Sequence, residues 1–391
     1  MTAFYRNVIH IVTREERCLG RRTFIKYIIR KIVGFASTLA LLNAINCKGK
    51  NTRMSKNWIW ITPDLEATDD DWKRRFEKLK KAGFDALLPE LYTGRAAYYC
   101  SNRLPVKAEL LERFIPIARS FDLEIHAWMW TMPCMLEDIQ KNHPDWYNIN
   151  RLGQSSLKKP AYVDYYKFLC PAKEEVHEFI QDTVQELSQY DIDGVHLDYI
   201  RFPDVILAKG LWSKYNLIQD KEYPQFDYCY CETCRKKFKE QEGIDPLEIK
   251  EPSEHQAWLQ FRYNLITDLV NNKLVPIAHE KGKLISAAVF PNWKDVRQEW
   301  RTWKLDAVLL MLYNQFYLEN AEWIKHHCEK GIQTLQHNTK LYSGLFIDKT
   351  DKFKEYVIKS FEGGAKGISV YSLQKLEDEH LEMLTQILKF Y

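Results

Sequence analysis

The constraint that weighs most on this chain is a repetition: eight short apolar runs with strand character, most of them followed by a segment of helical periodicity. The runs are Trp58 to Pro63, Asp85 to Leu91, Glu124 to Thr131, Gly194 to Phe202, Leu284 to Pro291, Ala307 to Asn314, Lys340 to Ile347 and Gly367 to Leu373. Helical stretches fall over Asp69 to Lys81, Lys107 to Phe121, Lys173 to Tyr190, Glu254 to Lys281, Glu319 to Gln333, Lys352 to Glu362 and Leu376 to Phe390, and only the fifth crossover, around Val296 to Trp303, is short. Repeated strand-helix units with glycine-bearing turns imply parallel strands and right-handed crossovers. Eight such units close a (β/α)8 barrel, the TIM-barrel fold, more naturally than an open sheet. A doubly wound dinucleotide fold lacks its signature here, since no glycine-rich phosphate loop opens the first helix. The barrel is expected over 57–391, with 203–254 as a long insertion after the fourth strand. A stretch of that length is uncommon without a function and is expected to lie over the barrel mouth as a lid.

Strand alternation then says which side chains point into the barrel. In the third run Ile125, Ala127 and Met129 suit the helix layer, leaving His126, Trp128 and Trp130 inside. The first run sends Trp58 and Trp60 inward, with Asp64 just past its end. The second places Glu90 and Tyr92 on one side. In the fourth, His196, Asp198 and Ile200 face in, while Asn292, Tyr313, Asn314 and Tyr371 end later strands. Catalytic groups of such barrels gather at the C-terminal ends of the strands. The expected mouth is a mixture of Trp, Tyr, Asn, His and carboxylates. Sugar rings stack their apolar faces on aromatic rings and need polar partners for their hydroxyl edges, so this mixture points to a carbohydrate ligand.

The densest polar cluster is Asp193-Gly-Val-His-Leu-Asp-Tyr-Ile-Arg-Phe-Pro203, an apolar strand releasing His196, Asp198, Tyr199 and Arg201 before a proline stop. An inward Asp is costly unless used or paired. Arg201 is close enough in sequence to hold Asp198 ionised.

Residues 14 to 31 are rich in Arg and Lys, and an apolar run from Ile32 to Leu42 leads to Cys47. That is the layout of an export signal, and the run is shorter than the roughly 20 apolar residues a membrane span needs. Arg21-Arg-Thr-Phe-Ile-Lys26 resembles a twin-arginine signal, and Leu42-Asn-Ala-Ile-Asn-Cys47 resembles a lipobox with Asn46 in place of a small residue. The expected product is a bacterial cell-envelope lipoprotein, its signal over 1–46, a linker over 47–56 and the membrane met only through a lipid at Cys47. The signal takes 8 of the 56 basic and 2 of the 53 acidic side chains, leaving 48 and 51, a net charge of −3 with no basic patch for nucleic acid.

Cys229, Cys231 and Cys234 fall inside the expected lid. Their spacing could present thiolates to a structural zinc ion, form a disulfide after export, or remain as free thiols. No other metal or cofactor is expected.

The motif from Asp193 to Pro203 resembles the fourth-strand motif of the glycosyl hydrolase-like family ten proteins. Cys229 to Phe238, Gly243-Ile-Asp-Pro246 and Trp258-Leu-Gln-Phe-Arg262 are similar to segments that follow it in related barrel hydrolases. This resemblance covers 57–391 and implies a (β/α)8 barrel and glycoside hydrolysis. The motif also resembles the catalytic strand of family 18 chitinases, but Ile200 stands where that family has its acid glutamate, which argues against substrate-assisted chemistry of that kind. Hydrolysis requires two carboxyls, about 5 Å apart for retention or about 6.5–9.5 Å for inversion. Asp198 is the expected nucleophile or stabiliser. Glu90 is the expected acid, with Asp64 and Asp204 as alternatives, and a salt bridge to Arg95 is the competing role for Glu90. Asp64, Tyr92, His126, Trp128, Trp130, His196, Arg201, Asn292, Tyr313, Asn314 and Tyr371 are the expected substrate contacts. Two further classes stay open: a glycan-binding lipoprotein without catalysis, and a metal-dependent deacetylase built on His126, His196 and Asp198.

Overall fold

The computed structural model describes residues 55–391; the expected export signal, Cys47 and most of the linker lie outside the described residues. Strands β1 (Trp58–Ile61), β2 (Ala86–Tyr92), β3 (Glu124–Trp130), β4 (Gly194–Asp198), β5 (Leu284–Val289), β6 (Ala307–Met311), β7 (Lys340–Phe346) and β8 (Ile368–Tyr371) form a closed parallel barrel in sequence order. β8 closes on β1 through Ser369 beside Trp58. Helices pack outside, and between β5 and β6 there are only short 3-10 turns, Trp293–Val296 and Trp300–Thr302. Among the described residues no helix is long and apolar enough to cross a membrane.

Two apolar layers follow from the alternation. Ile59, Ile61, Leu87, Ile125, Ala127, Val195 and Leu197 join the large core between strands and helices. Trp58, Trp60, Ala86, Leu88, Trp128, Ala288, Ala307, Leu309 and Tyr342 fill the barrel itself. The interior is thus plugged mainly by tryptophan, tyrosine, leucine and alanine, with a hollow at the N-terminal end beside Trp58 and His126 and a larger cavity at the C-terminal ends of the strands.

Two strand ends depart from simple alternation. Glu90 pairs with Trp128 but Tyr92 with Met129, so β2 advances two residues while β3 advances one. This bulge rotates Tyr92 out of the barrel into the helix-facing core. β4 stops at Asp198 rather than Phe202, because Tyr199 takes a left-handed backbone with φ 52°. The turn sends Ile200 into the outer core instead of the interior.

The connections after β3 (residues 131–173) and β4 (residues 199–255) are the longest before a main barrel helix. They pack on each other: Tyr230 N–H donates to the Ile149 carbonyl at 2.7 Å, and Asn150 bridges Tyr228. Only the first part of the expected lid reaches the mouth. The second part folds helix Glu232–Glu242 against the β3–β4 connection.

Candidate active site

A cavity of about 430 Å³ occupies the C-terminal mouth of the barrel. Trp60, Trp128, Trp130 and Tyr371 are among its lining aromatics, and Glu90 and Asp198 both face it. These two carboxyls come from β2 and β4, on either side of β3. Glu90 lies level with Trp128 and Asp198 level with Trp130. The hydrogen bonds cross this register: Trp130 Nε1 donates to Glu90 Oε1 at 2.8 Å, and Trp128 Nε1 to Asp198 Oδ2 at 3.1 Å. Each carboxylate is therefore held by the indole that sits level with the other one, which fixes both side chains and both rings.

Burial decides their protonation. Removal from water pushes Glu90 up to about 7, helped by the negative charge of Asp198 and opposed by the Trp130 hydrogen bond. Asp198 is pushed up to about 6 by burial, against the Tyr199 N–H, the Arg201 charge and the Trp128 N–H. The Tyr199 N–H reaches Asp198 Oδ1 at 2.7 Å across the left-handed turn, so the backbone strain there buys a fixed carboxylate orientation. Near neutral pH the pair can hold one proton, with Glu90 the more basic member.

Arg201 does not hold Asp198 directly. Its Nη1 donates to Asp204 Oδ2 at 2.9 Å and to the Phe202 carbonyl at 2.8 Å, and its guanidinium stands over the Phe290 ring at 4.8 Å. Asp204 also accepts from the Tyr166 hydroxyl at 2.9 Å. Asp204 is thus committed to a buried ion pair at the cavity wall and is no spare acid. Arg95 lies 3.7 Å from Asp164, so it does not neutralise Glu90.

The remaining expected residues divide. Asn292, Tyr313 and Tyr371 line the cavity. Asp64 instead pairs with Arg75 at 2.8 Å beside a separate surface hollow, because the chain leaves the barrel after Ile61 and turns toward the helix Asp69–Ala82. Asn314 is buried beyond the mouth, where its Nδ2 donates to the Glu319 carbonyl at 2.9 Å. Tyr92 is turned outward by the β2 bulge. His126 faces inward but at the opposite end of the barrel, where it bonds Glu124 at 2.9 Å and packs on Trp58. His196 lies in the plugged interior, its Nδ1 2.8 Å from Ser286 Oγ, and burial keeps it neutral by holding its pKa well below the ordinary range. The trio His126, His196 and Asp198 therefore does not converge as a metal hydrolase would require.

The alternation rule missed the walls that come from connections. Tyr162, Tyr165 and Tyr166 enter from the β3–β4 connection, and Leu207, Leu211 and Tyr215 from the β4–β5 connection. Tyr199 and Phe290 add further rings, and Asp295 adds a carboxyl beyond Glu90, Asp198 and the ion-paired Asp204, which burial raises to about 6 against the pull of Arg297. The run Tyr162-Val-Asp-Tyr-Tyr166 in an aperiodic stretch was the legible signal for the first group.

Beside these walls, Cys170, Cys229, Cys231 and Cys234 are all buried, with their Sγ atoms within 4.8 Å of one another. All four are free cysteines, so the disulfide expected as one alternative does not form. No local spacing ties Cys170 to the triplet, because it lies on the other connection, far away in sequence. The donor set and its closeness fit one thiophilic metal ion.

Solved structures sharing this fold include three glycosidases. The catalytic domain of the β-amylase from Paenibacillus polymyxa matches with a TM-score of 0.61 at 11% identity, covering 86% of this chain and 98% of that one. The β-galactosidase from the psychrophilic Marinomonas ef1 matches with a TM-score of 0.61 at 12% identity, covering 85% of this chain and 59% of that one. The β-galactosidase from Bacillus circulans sp. alkalophilus matches with a TM-score of 0.58 at 10% identity, over 86% and 55% of the two chains. The chain thus spans under three fifths of the length of these two β-galactosidases, and at such identities the likeness is one of fold. No curated protein sequence matches significantly. The model of the glycosyl hydrolase-like 10 family matches residues 73–356, which takes in β2 through β7 with both carboxylate-bearing strands, and the chain belongs to that family.

Proposed function

We propose that this protein hydrolyses glycosidic bonds of an oligo- or polysaccharide, with Glu90 as general acid and Asp198 as nucleophile or electrostatic stabiliser. The observation that carries the reading is the carboxyl pair itself: two buried acids face one aromatic cavity, each raised by burial and each oriented by a tryptophan. A glycosidase needs one protonated and one ionised carboxyl at the same pH. The higher value of Glu90 makes it the proton carrier, and the charge of Arg201 favours ionised Asp198. The aromatic lining supplies stacking surfaces for sugar rings, and Asn292 at the rim supplies a partner for hydroxyls. Membership of a glycosyl hydrolase-like family supports the same chemistry.

The test is a hydrolysis screen over bacterial-wall, plant and host polysaccharides, followed by Glu90→Gln and Asp198→Asn variants on any substrate found. Each variant is expected to fold, to bind substrate and to lose about 10²- to 10⁴-fold in kcat. Wild-type turnover by both folded variants would sink the assignment. Glycan binding by the wild type without turnover of any bound substrate would favour a carbohydrate-binding barrel instead.

A further inference from the structure

We propose that Cys170, Cys229, Cys231 and Cys234 bind one structural zinc ion, which clamps together the two long connections that wall the cavity. This inference stands apart from the glycosidase reading. Cys170 ends the β3–β4 connection, while the other three open the helix Glu232–Glu242 of the β4–β5 connection, with Cys231 at its N-cap. The Sγ of Cys170 lies 3.5 Å from those of both Cys231 and Cys234. A disulfide would require about 2.05 Å. Four thiolates around a tetrahedral ion at about 2.3 Å stand about 3.8 Å apart, close to what is seen. An iron–sulfur cluster needs room between its thiolates for an inorganic core, and the four sulfurs are drawn too tightly for that.

The surroundings suit bound thiolates. The backbone N–H of Ile149 points at Cys229 Sγ at 3.4 Å and that of Ala172 at Cys170 Sγ at 3.5 Å. Such donors offset the excess negative charge of four thiolates on a divalent ion, as does the positive end of the helix that Cys231 caps. With four buried protein ligands the site is closed, the mark of a structural zinc rather than a catalytic one. Its position explains its use. One connection brings Tyr162, Tyr165 and Tyr166 to the cavity and the other brings Leu207 and Tyr215, and the cluster ties the two together behind that wall.

The experiment measures zinc by elemental analysis in the purified full chain, alongside thiol titration and intact mass. About one zinc per chain is expected, with the four thiols shielded until zinc is removed. Cys170→Ser and Cys234→Ser are expected to lower zinc content by about tenfold or more. Should those variants fail to fold, cobalt substitution of the wild-type chain gives the same answer through the ligand-field and thiolate charge-transfer bands of a tetrahedral thiolate site. Iron in place of zinc, a mass loss matching disulfides, or four reactive thiols in a metal-free folded protein would each overturn the proposal.

Discussion

At the residue scale, the crossed indole–carboxylate bonds make a prediction that separates the two acids. In the proposed mechanism the monoprotonated pair is the working form, so kcat/KM should fall on the acid side as Asp198 gains a proton near 6 and on the alkaline side as Glu90 loses one near 7. The profile is a narrow bell centred midway between them. The Trp130 N–H favours the ionised form of Glu90, so Trp130→Phe should raise that pKa and move the alkaline limb upward by about one pH unit. Trp128→Phe should move the acid limb upward instead, narrowing the bell. Measured profiles in which neither limb moves would show that the indoles do not tune the pair.

At the element scale, the motif that announces β4 also carries a structural device. Asp193 Oδ2 accepts the Ile125 N–H at 2.7 Å, Asp85 Oδ2 the Asn57 N–H at 2.9 Å and Asp306 Oδ2 the Ile285 N–H at 2.8 Å. An aspartate just before each of β2, β4 and β6 thus takes a backbone donor at the start of the preceding strand, stitching the N-terminal end of the barrel away from the mouth. Asp193→Ala leaves the Ile125 N–H and Arg119 without this acceptor and should cost about 1–3 kcal/mol in urea unfolding while leaving kcat and KM unchanged. Gly194, next in the chain, is fixed by packing: a methyl group there would collide with the ring of His126 and the Leu284 carbonyl. His126 and the head of the motif therefore serve the closed end of the barrel, and Asp198 serves the open one.

At the scale of the whole molecule, the site is stored at the expense of stability. Glu90 titrates at about 7 when folded and near its ordinary 4.5 when unfolded. Below 4.5 both states carry the proton and no penalty arises. Above it the unfolded chain ionises while the folded one does not, so native stability falls until the pH passes 7, by on the order of 3 kcal/mol for this group alone. Glu90→Gln should therefore raise Tm more at pH 8 than at pH 4.5 while lowering kcat, the usual trade between activity and stability. Equal Tm gains at both pH values would contradict the buried, proton-holding state of Glu90.

The sequence by itself determined the barrel and the inward direction of most strand side chains, because both are written in short periods. Alternation along one strand points Trp128, Trp130, Glu90 and Asp198 inward whatever the rest of the chain does, and eight such strands with helices between them leave few ways to close. Only the tertiary structure decided what each side chain meets. The β2 bulge removed Tyr92 from the mouth and the left-handed turn at Tyr199 ended β4 early, since one backbone irregularity reverses every side chain beyond it. Arg201 found Asp204, Asp64 found Arg75, and Asn314 found a carbonyl, each outcome set by neighbours that no local pattern names. The clearest case is Cys170, whose meeting with Cys231 spans 61 residues of chain. Strand direction is a local property of the backbone, whereas a partner is fixed by the packing of connections that the barrel brings together.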